Sequence, residues 1–269
     1  MIQSIKHLLI ISLIFFSCDT GKLEVVADIP NNLEEASACE LMPTSKLVWV
    51  IEDAGNNNHI YGLDLKGQIK KDLVVLNSKN QDWEDLTSDG DGNLYIGDFG
   101  NNSKKRKQFT IYKISNPEQS EGEVRATKIN FELPKGKNSE DFEGFFIYQN
   151  SIYIFSKESK NCVMLKVPNS AGNHVAEIAK EFNLEGKQNH ITSADISDNG
   201  RKVALLNHEK VWILSDYEND DFFGGKIEAL PFNYSSQMEG VCFKNNSTLY
   251  ITNESNGSEG NNIYEFKIN

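Results

Sequence analysis

Cysteine and proline are scarce, four and six in 269 residues, and the 27 Lys and Arg are outnumbered by 39 Asp and Glu. Each shortage excludes something. Once Cys18 is set apart, Cys39, Cys162 and Cys242 remain. An odd number at irregular spacing gives neither a disulfide framework nor a zinc site, so buried free thiols are expected. A formal net charge of −12 opposes nucleic-acid phosphates and anionic lipid, and it suits cations and solubility. No long helical periodicity occurs. Also missing are a Gly-X-Ser-X-Gly elbow, a phosphate-cradling Gly-rich loop and a His-Glu-X-X-His helix. The longest apolar run, "LLIISLIFF" at 8–16, is too short to span a bilayer comfortably.

That run follows Lys6 and ends at Ser17-Cys18, the layout of an export signal. Residues 1–17 are read as a signal peptide, and "FFSC" resembles a bacterial lipoprotein cleavage box with Cys18 as the lipidated first residue. Residues 18–22 then form a tether and 23–269 one domain. The expected location is the bacterial cell envelope (periplasm, outer membrane or cell surface), with the membrane touched only through the lipid. Removing Lys6 takes the mature chain from −12 to −13.

What is present is strand-like alternation throughout, rich in β-branched and aromatic residues. It is organised as a repeat. Each unit opens with an acid and a short apolar run: "EASAC" at Glu35, "WEDLT" at Glu84, "FEGFF" at Glu143, "SADIS" at Asp195 and "MEGVC" at Glu239. The acids are 49, 59, 52 and 44 residues apart. Two more strand runs follow in every unit, and a fourth in the first four. Four short antiparallel strands at this period describe a propeller blade. The fold expected is all-β, a single five-bladed β-propeller. The spare strand "KLEVVADI" supplies the missing fourth strand of the last blade and closes the ring. Six blades or a two-sheet sandwich are the structural alternatives; only a propeller explains the repeated acid.

First strands line a propeller's central channel. Glu35, Glu84, Glu143, Asp195 and Glu239 are therefore expected around one axis, where bare like charges would be costly. A bound cation relieves them, or a wide water-filled channel with cationic partners; of cations, calcium, a hard ion taking six to eight oxygens, is the natural one. The alternative role is hydrogen bonding to backbone amides at the blade starts. Nearby, Asp89, Asp91 and Asn93 have EF-hand spacing. Leu94 and Gly100 occupy the positions that need a Gly and a bidentate Glu, so "DGDGN" reads as a tight turn.

The ends of the second strands carry Asp53, Asp98, Lys157, His208 and Glu254, a second ring whose chemistry varies from blade to blade. Such variation suits a ligand mouth. Arg106, with Lys104, Lys105 and Lys107, forms the one dense basic patch, read as a solvated hairpin tip or as a contact for an anionic ligand. Of the scattered histidines only His208 falls at this mouth.

With the units in register, most of residues 30–260 resembles exported bacterial propellers of the SdiA-regulated and phytase-like esterase types. The resemblance rests on "EASA", "NQDWEDLTSDGDGNLYIGDFGNN", "SEDFEGF", "ITSADIS" and "QMEGV". It implies an exported propeller rather than a particular activity. A second resemblance, carried by "WEDL", "FEGF" and "MEGV", is to the calcium-activated apyrases. These are five-bladed propellers that hydrolyse nucleoside diphosphates and hold one calcium with Glu and Ser of the inner strands. It implies Glu84, Glu143 and Glu239 as the leading metal ligands, with Glu35 and Asp195 where that family uses Ser. Of that family's phosphate-binding basic residues, only Lys157 and Arg106 have counterparts.

Two functional classes stay open. One is an envelope propeller, expected as a monomer, binding a small molecule or envelope protein at its channel mouth with a central calcium. The other is a calcium-dependent hydrolase of a phosphorylated substrate, with Asp98, Lys157, His208 and Glu254 as the catalytic candidates. Acids around an axis also suit a sugar hydrolase.

Overall fold

The computed structural model describes residues 20–33, 35–187, 189–255 and 261–268. Residues 1–17 and Cys18, with the signal and lipidation expectations they carry, lie outside the described residues. After a first strand, β1 (Glu24–Asp28), the chain builds five sheets. Blade one is β2 (Ala36–Glu40), β3 (Val48–Glu52), β4 (His59–Leu63) and β5 (Ile69–Leu76). Blade two is β6 (Trp83–Ser88), β7 (Asn93–Asp98), β8 (Gln108–Ser115) and, after β9 (Glu123–Arg125), β10 (Thr127–Glu132). Blade three is β11 (Phe142–Tyr148), β12 (Ser151–Ser156), β13 (Cys162–Pro168) and, after β14 (Gly172–Val175), β15 (Glu177–Phe182). Blade four is β16 (Ser193–Ile196), β17 (Lys202–Leu206), β18 (Lys210–Ser215) and β19 (Lys226–Pro231). Blade five is β20 (Met238–Asn245), β21 (Thr248–Asn253) and β22 (Asn262–Lys267).

The outer place of blade five belongs to β1, antiparallel to β22 with Glu24 opposite Glu265 and Asp28 opposite Asn262. The chain is a five-bladed β-propeller closed by its N-terminal strand, as the spare strand and the missing strand implied.

Alternation explains why the second strands read as continuous apolar runs. In a propeller both faces of a blade are covered by neighbours, so successive side chains feed two different cores. In β12, Ile152 and Ile154 join the core shared with blade two, while Tyr153 and Phe155 join the core shared with blade four. In β3, Trp49 and Ile51 face blade two, while Val48 and Val50 face blade five.

The sequence reading lacked two strands. β9 pairs in parallel with β5 of the preceding blade, and β14 pairs in parallel with β10 of its preceding blade. Both arise between the third and fourth strands of a blade and reach back over its neighbour. Blade four uses the same connection differently: Phe222 and Phe223 pack on Tyr153, Phe155 and Phe182 of blade three. These segments are short and polar, so periodicity could not reveal them.

The "DGDGN" stretch is the tight turn its residues suggested. Asp89 accepts from the backbone of Asp91 and Asn93, from the Asn93 amide and from the Tyr95 hydroxyl, and Gly92 sits at φ 81°. Cys39, Cys162 and Cys242 are buried free thiols, as expected. Among the described residues no helix is long and apolar enough to cross a membrane.

Candidate functional site

Strand register corrects the repeated acid. Each of four inner strands begins with a bulge, and the bulged residues are Ser37, Glu84, Glu143 and Glu239. In blade four the same place falls to Thr192. Its hydroxyl donates to the Met238 carbonyl of the next blade, as the Ser37 hydroxyl donates to the Trp83 carbonyl of its next blade. The axial ring is therefore three glutamates and two hydroxyl residues.

Glu35 and Asp195, expected in that ring, lie outside it. Glu35 is two residues earlier and exposed, bonded by the Asn56 amide. Its carbonyl takes the Asp53 amide, as the Asp82 carbonyl takes that of Gly100 and the Asp141 carbonyl that of Lys157. Glu35, Asp82 and Asp141 thus form an outer acidic rim. Asp195 is displaced along the strand and accepts from the Phe243 amide at the opposite end of the axis. The shared signal was three residues long: "EAS", "DWE", "DFE", "HIT" and "QME". Aligning on the acid alone shifted two blades.

At the mouth, Asp53, Asp82 and Glu84 each offer an oxygen within 4.8 Å of the others, the one such group of three among the described residues. Nothing in the repeat of acids marks Asp82, which precedes Glu84 by two residues. Burial, with Asp53 nearby, raises its pKa to about 6. Burial also lifts Asp53. Gly100 makes room for this group, because a Cβ there would stand 1.8 Å from Glu84 Oε1 and 2.6 Å from Asp82 Cγ. That is why "GDFGNN" carries a glycine at this place.

The other two glutamates have basic partners. Lys157 Nζ lies 2.7 Å from Glu143 Oε1, and His208 Nε2 lies 3.2 Å from Glu239 Oε1. Burial alone would lower the Lys157 pKa, but Glu143, Glu239 and Glu84 together hold it above the usual lysine range. Burial raises Glu143 to about 8 against the opposing pull of Lys157. Glu84 is pushed well up by burial and by Glu143, to which it is hydrogen-bonded. Part of the relief assigned to a central cation is therefore supplied by an ammonium.

Other mouth residues divide. Asp53, Glu239, Glu35 and Glu254 share one acidic field; burial, then Glu239, raises Glu254 to about 7. Asp98 is 2% exposed and paired with Arg106 at 2.9 Å. Arg106 also donates to the carbonyls of Asp98 and Gly100 and lies over the Phe109 ring. The pair buttresses the loop that carries Gly100. Beside the acidic group, a pocket lined by Lys104, Lys157, His190 and His208 opens among Asn102, Asp141, Glu158 and Asn207. His190 Nδ1 donates to the Lys157 carbonyl oxygen at this rim, at 2.7 Å.

Below the mouth the axis is closed. Asp85, fully buried, accepts from the amides of Leu86, Phe145 and Ala194 and from the Ser193 hydroxyl. Ser193 accepts in turn from the Val241 amide. This network joins blades two, three, four and five and separates the mouth from the far end of the axis.

No protein-family model and no curated protein matches the chain. Solved structures match as folds. A PQQ-bound aldose sugar dehydrogenase from Streptomyces coelicolor is 10% identical with TM-score 0.52, covering 91% of this chain and 98% of its own. A glucose dehydrogenase is 8% identical with TM-score 0.53, covering 92% and 99%. At this identity the likeness establishes the β-propeller and nothing finer.

Proposed function

We propose that the chain is a metal-stabilised binding propeller of the bacterial cell envelope. Its mouth holds calcium on Asp53, Asp82 and Glu84 and an anionic ligand in the adjoining pocket, against Lys104, Lys157, His190 and His208. The carrying observation is the three carboxylates within 4.8 Å of one another beside Lys104, Lys157, His190 and His208. The donors are all hard oxygens, the set calcium takes, and bound calcium would supply charge neutralisation and a Lewis-acidic contact for the ligand. Ser37 and Thr192 in the ring, rather than acids, bring the inner strands nearer the glutamate-and-serine pattern of the apyrase resemblance. Glu143 and Glu239, with Lys157 and His208 beside them, serve the wall between metal and pocket.

Calcium titration followed by calorimetry and thermal melting tests this reading. Binding only to the folded ring at one hundred times Kd adds about 2.7 kcal/mol of stability. Glu84→Gln and Asp82→Asn should each lose that response. A calcium-indifferent melting curve, with no metal in the purified protein by elemental analysis, would reject the site.

One observation favours catalysis as a second reading. Glu84 and Glu143 share a hydrogen bond with raised pKa values beside Lys157, an arrangement suited to general acid–base work on a metal-bound phosphoryl group. Calcium-dependent turnover of a nucleotide or phosphate ester, abolished by Glu84→Gln, would select it. The envelope placement rests on the leader and Cys18. Mass spectrometry of the purified chain should find it beginning at a diacylated Cys18, and Cys18→Ala should release it from membranes.

A further inference from the structure

The end of the axis opposite the mouth carries a second acidic cavity, of about 500 Å³, to which all five blades contribute. We propose that it binds a small alkylammonium compound, with the nitrogen held by Glu40 and Asp195. The inference is independent of the mouth, from which the Asp85 network separates it.

Glu40, on the last residue of β2, is 4% exposed. Its Oε1 accepts from the Ser88 hydroxyl at 2.5 Å, while its buried Oε2 finds no hydrogen-bonding partner among the described residues. A buried carboxylate oxygen left without a donor costs free energy that a ligand donor recovers. Asp195, 6% exposed, uses Oδ2 to accept from the Phe243 amide at 2.7 Å. Asp89 and Asp198 add two more carboxylates to the lining, which contains no Lys, Arg or His. Lys113 reaches Asp89 at 3.6 Å, whereas among the described residues no Lys, Arg or His pairs with Glu40 or Asp195. At the mouth, by contrast, Glu143 and Glu239 have Lys157 and His208. Burial first, and then Asp195, pushes the Glu40 carboxyl well above its usual range, and a cation placed beside it would favour its charged form.

The class of cation follows from spacing and walls. A bare metal needs several oxygens converging, and the only group of three within 4.8 Å among the described residues is at the mouth. Leu41, Ile147, Tyr148, Ile196 and Phe243 give the cavity apolar walls beside its acids. Apolar walls with a few convergent acceptors suit an alkyl chain ending in an ammonium, which presents three donors.

The test uses n-pentylamine against n-pentanol, its neutral counterpart, with a lysine-containing tripeptide as a third ligand. Saturable binding of the amine alone is expected, weakened about tenfold or more by Glu40→Gln through loss of a charge-assisted bond and unchanged by Glu84→Gln. In the unsubstituted protein, amide resonances of Ser88–Gly90 and Asp198–Gly200 should move on adding amine, a readout that does not depend on the variant folding. Equal response to amine and alcohol, shifts confined to Asp53–Asn57, or binding of the tripeptide without binding of the amine would each overturn the proposal.

Discussion

Ser193 Oγ donates to Asp85 Oδ1 at 2.9 Å, joining residues 108 positions apart across the propeller axis. Asp85 Oδ2 meanwhile accepts the amides of Phe145 and Ala194, each at 3.1 Å. One carboxylate thus stitches three blades at their narrowest point. Burial raises its pKa while these three donors and the Leu86 amide pull it down, with burial the larger effect.

Asp85→Ala is therefore expected to be among the most damaging single changes. It strands several buried donors at once, each costing about 1–3 kcal/mol. Asp85→Asn should also destabilise, because its amide would turn N–H groups toward N–H groups. Chemical denaturation read by near-ultraviolet circular dichroism checks both. A loss under about 1 kcal/mol for Asp85→Ala would show that water replaces the carboxylate freely.

Blade count and closure were readable because they depend on the number of strand runs and on one strand too many at the start. The site was less readable. Glu84, Glu143 and Glu239 share a register because each precedes a short apolar run at a bulge. Glu35 precedes a similar run but lies two residues before Ser37, and a bulge adds no letter by which to see the offset. Asp195 follows a blade start whose bulged residue is Thr192, invisible to a search for acids. Asp82 and Asp85 flank a recognised glutamate, yet one lines the rim and the other plugs the axis. Asp82 precedes β6 whereas Asp85 lies within it, past the bulge at Glu84, and that decides the difference.

Ring closure gives a second prediction. Deleting residues 23–29 removes Leu23 and Ile29, 3% and 1% exposed, and bares the outer edge of β22. The two side chains alone contribute about 3–6 kcal/mol on burial. The truncated protein should melt far lower and aggregate through the uncovered edge. An unchanged melting temperature would mean that β1 is an accessory strand.

Acidity gives a third. Unfolded carboxyls ionise near pH 4, whereas burial holds Asp82 near 6, Asp195 and Glu254 near 7 and Glu143 near 8. Between these limits the unfolded chain has released protons that the folded chain retains, so stability falls as pH rises from about 4 to about 8 and levels off above. In chelator, melting at pH 5 should exceed melting at pH 8 by several degrees. A melting temperature that climbs over this range would show that the folded chain ionises these carboxyls more readily than the unfolded one.

Gly100→Ala isolates the metal group from the fold. The substituted Cβ would stand 1.8 Å from Glu84 Oε1 and 2.7 Å from Asp82 Oδ2, side-chain oxygens rather than backbone. Both carboxylates must swing aside, which opens the Asp53–Asp82–Glu84 group while leaving the β6–β7 pairing and the Arg106–Asp98 ion pair in place. Calcium affinity should fall about tenfold or more, a loss of about 1.4 kcal/mol in binding. Stability in chelator should hold or rise slightly, since separating crowded carboxylates relieves their repulsion. Calorimetry with calcium, paired with melting in chelator, reads the two effects separately. Unchanged affinity in a folded Gly100→Ala protein would place the ion elsewhere than on these three residues.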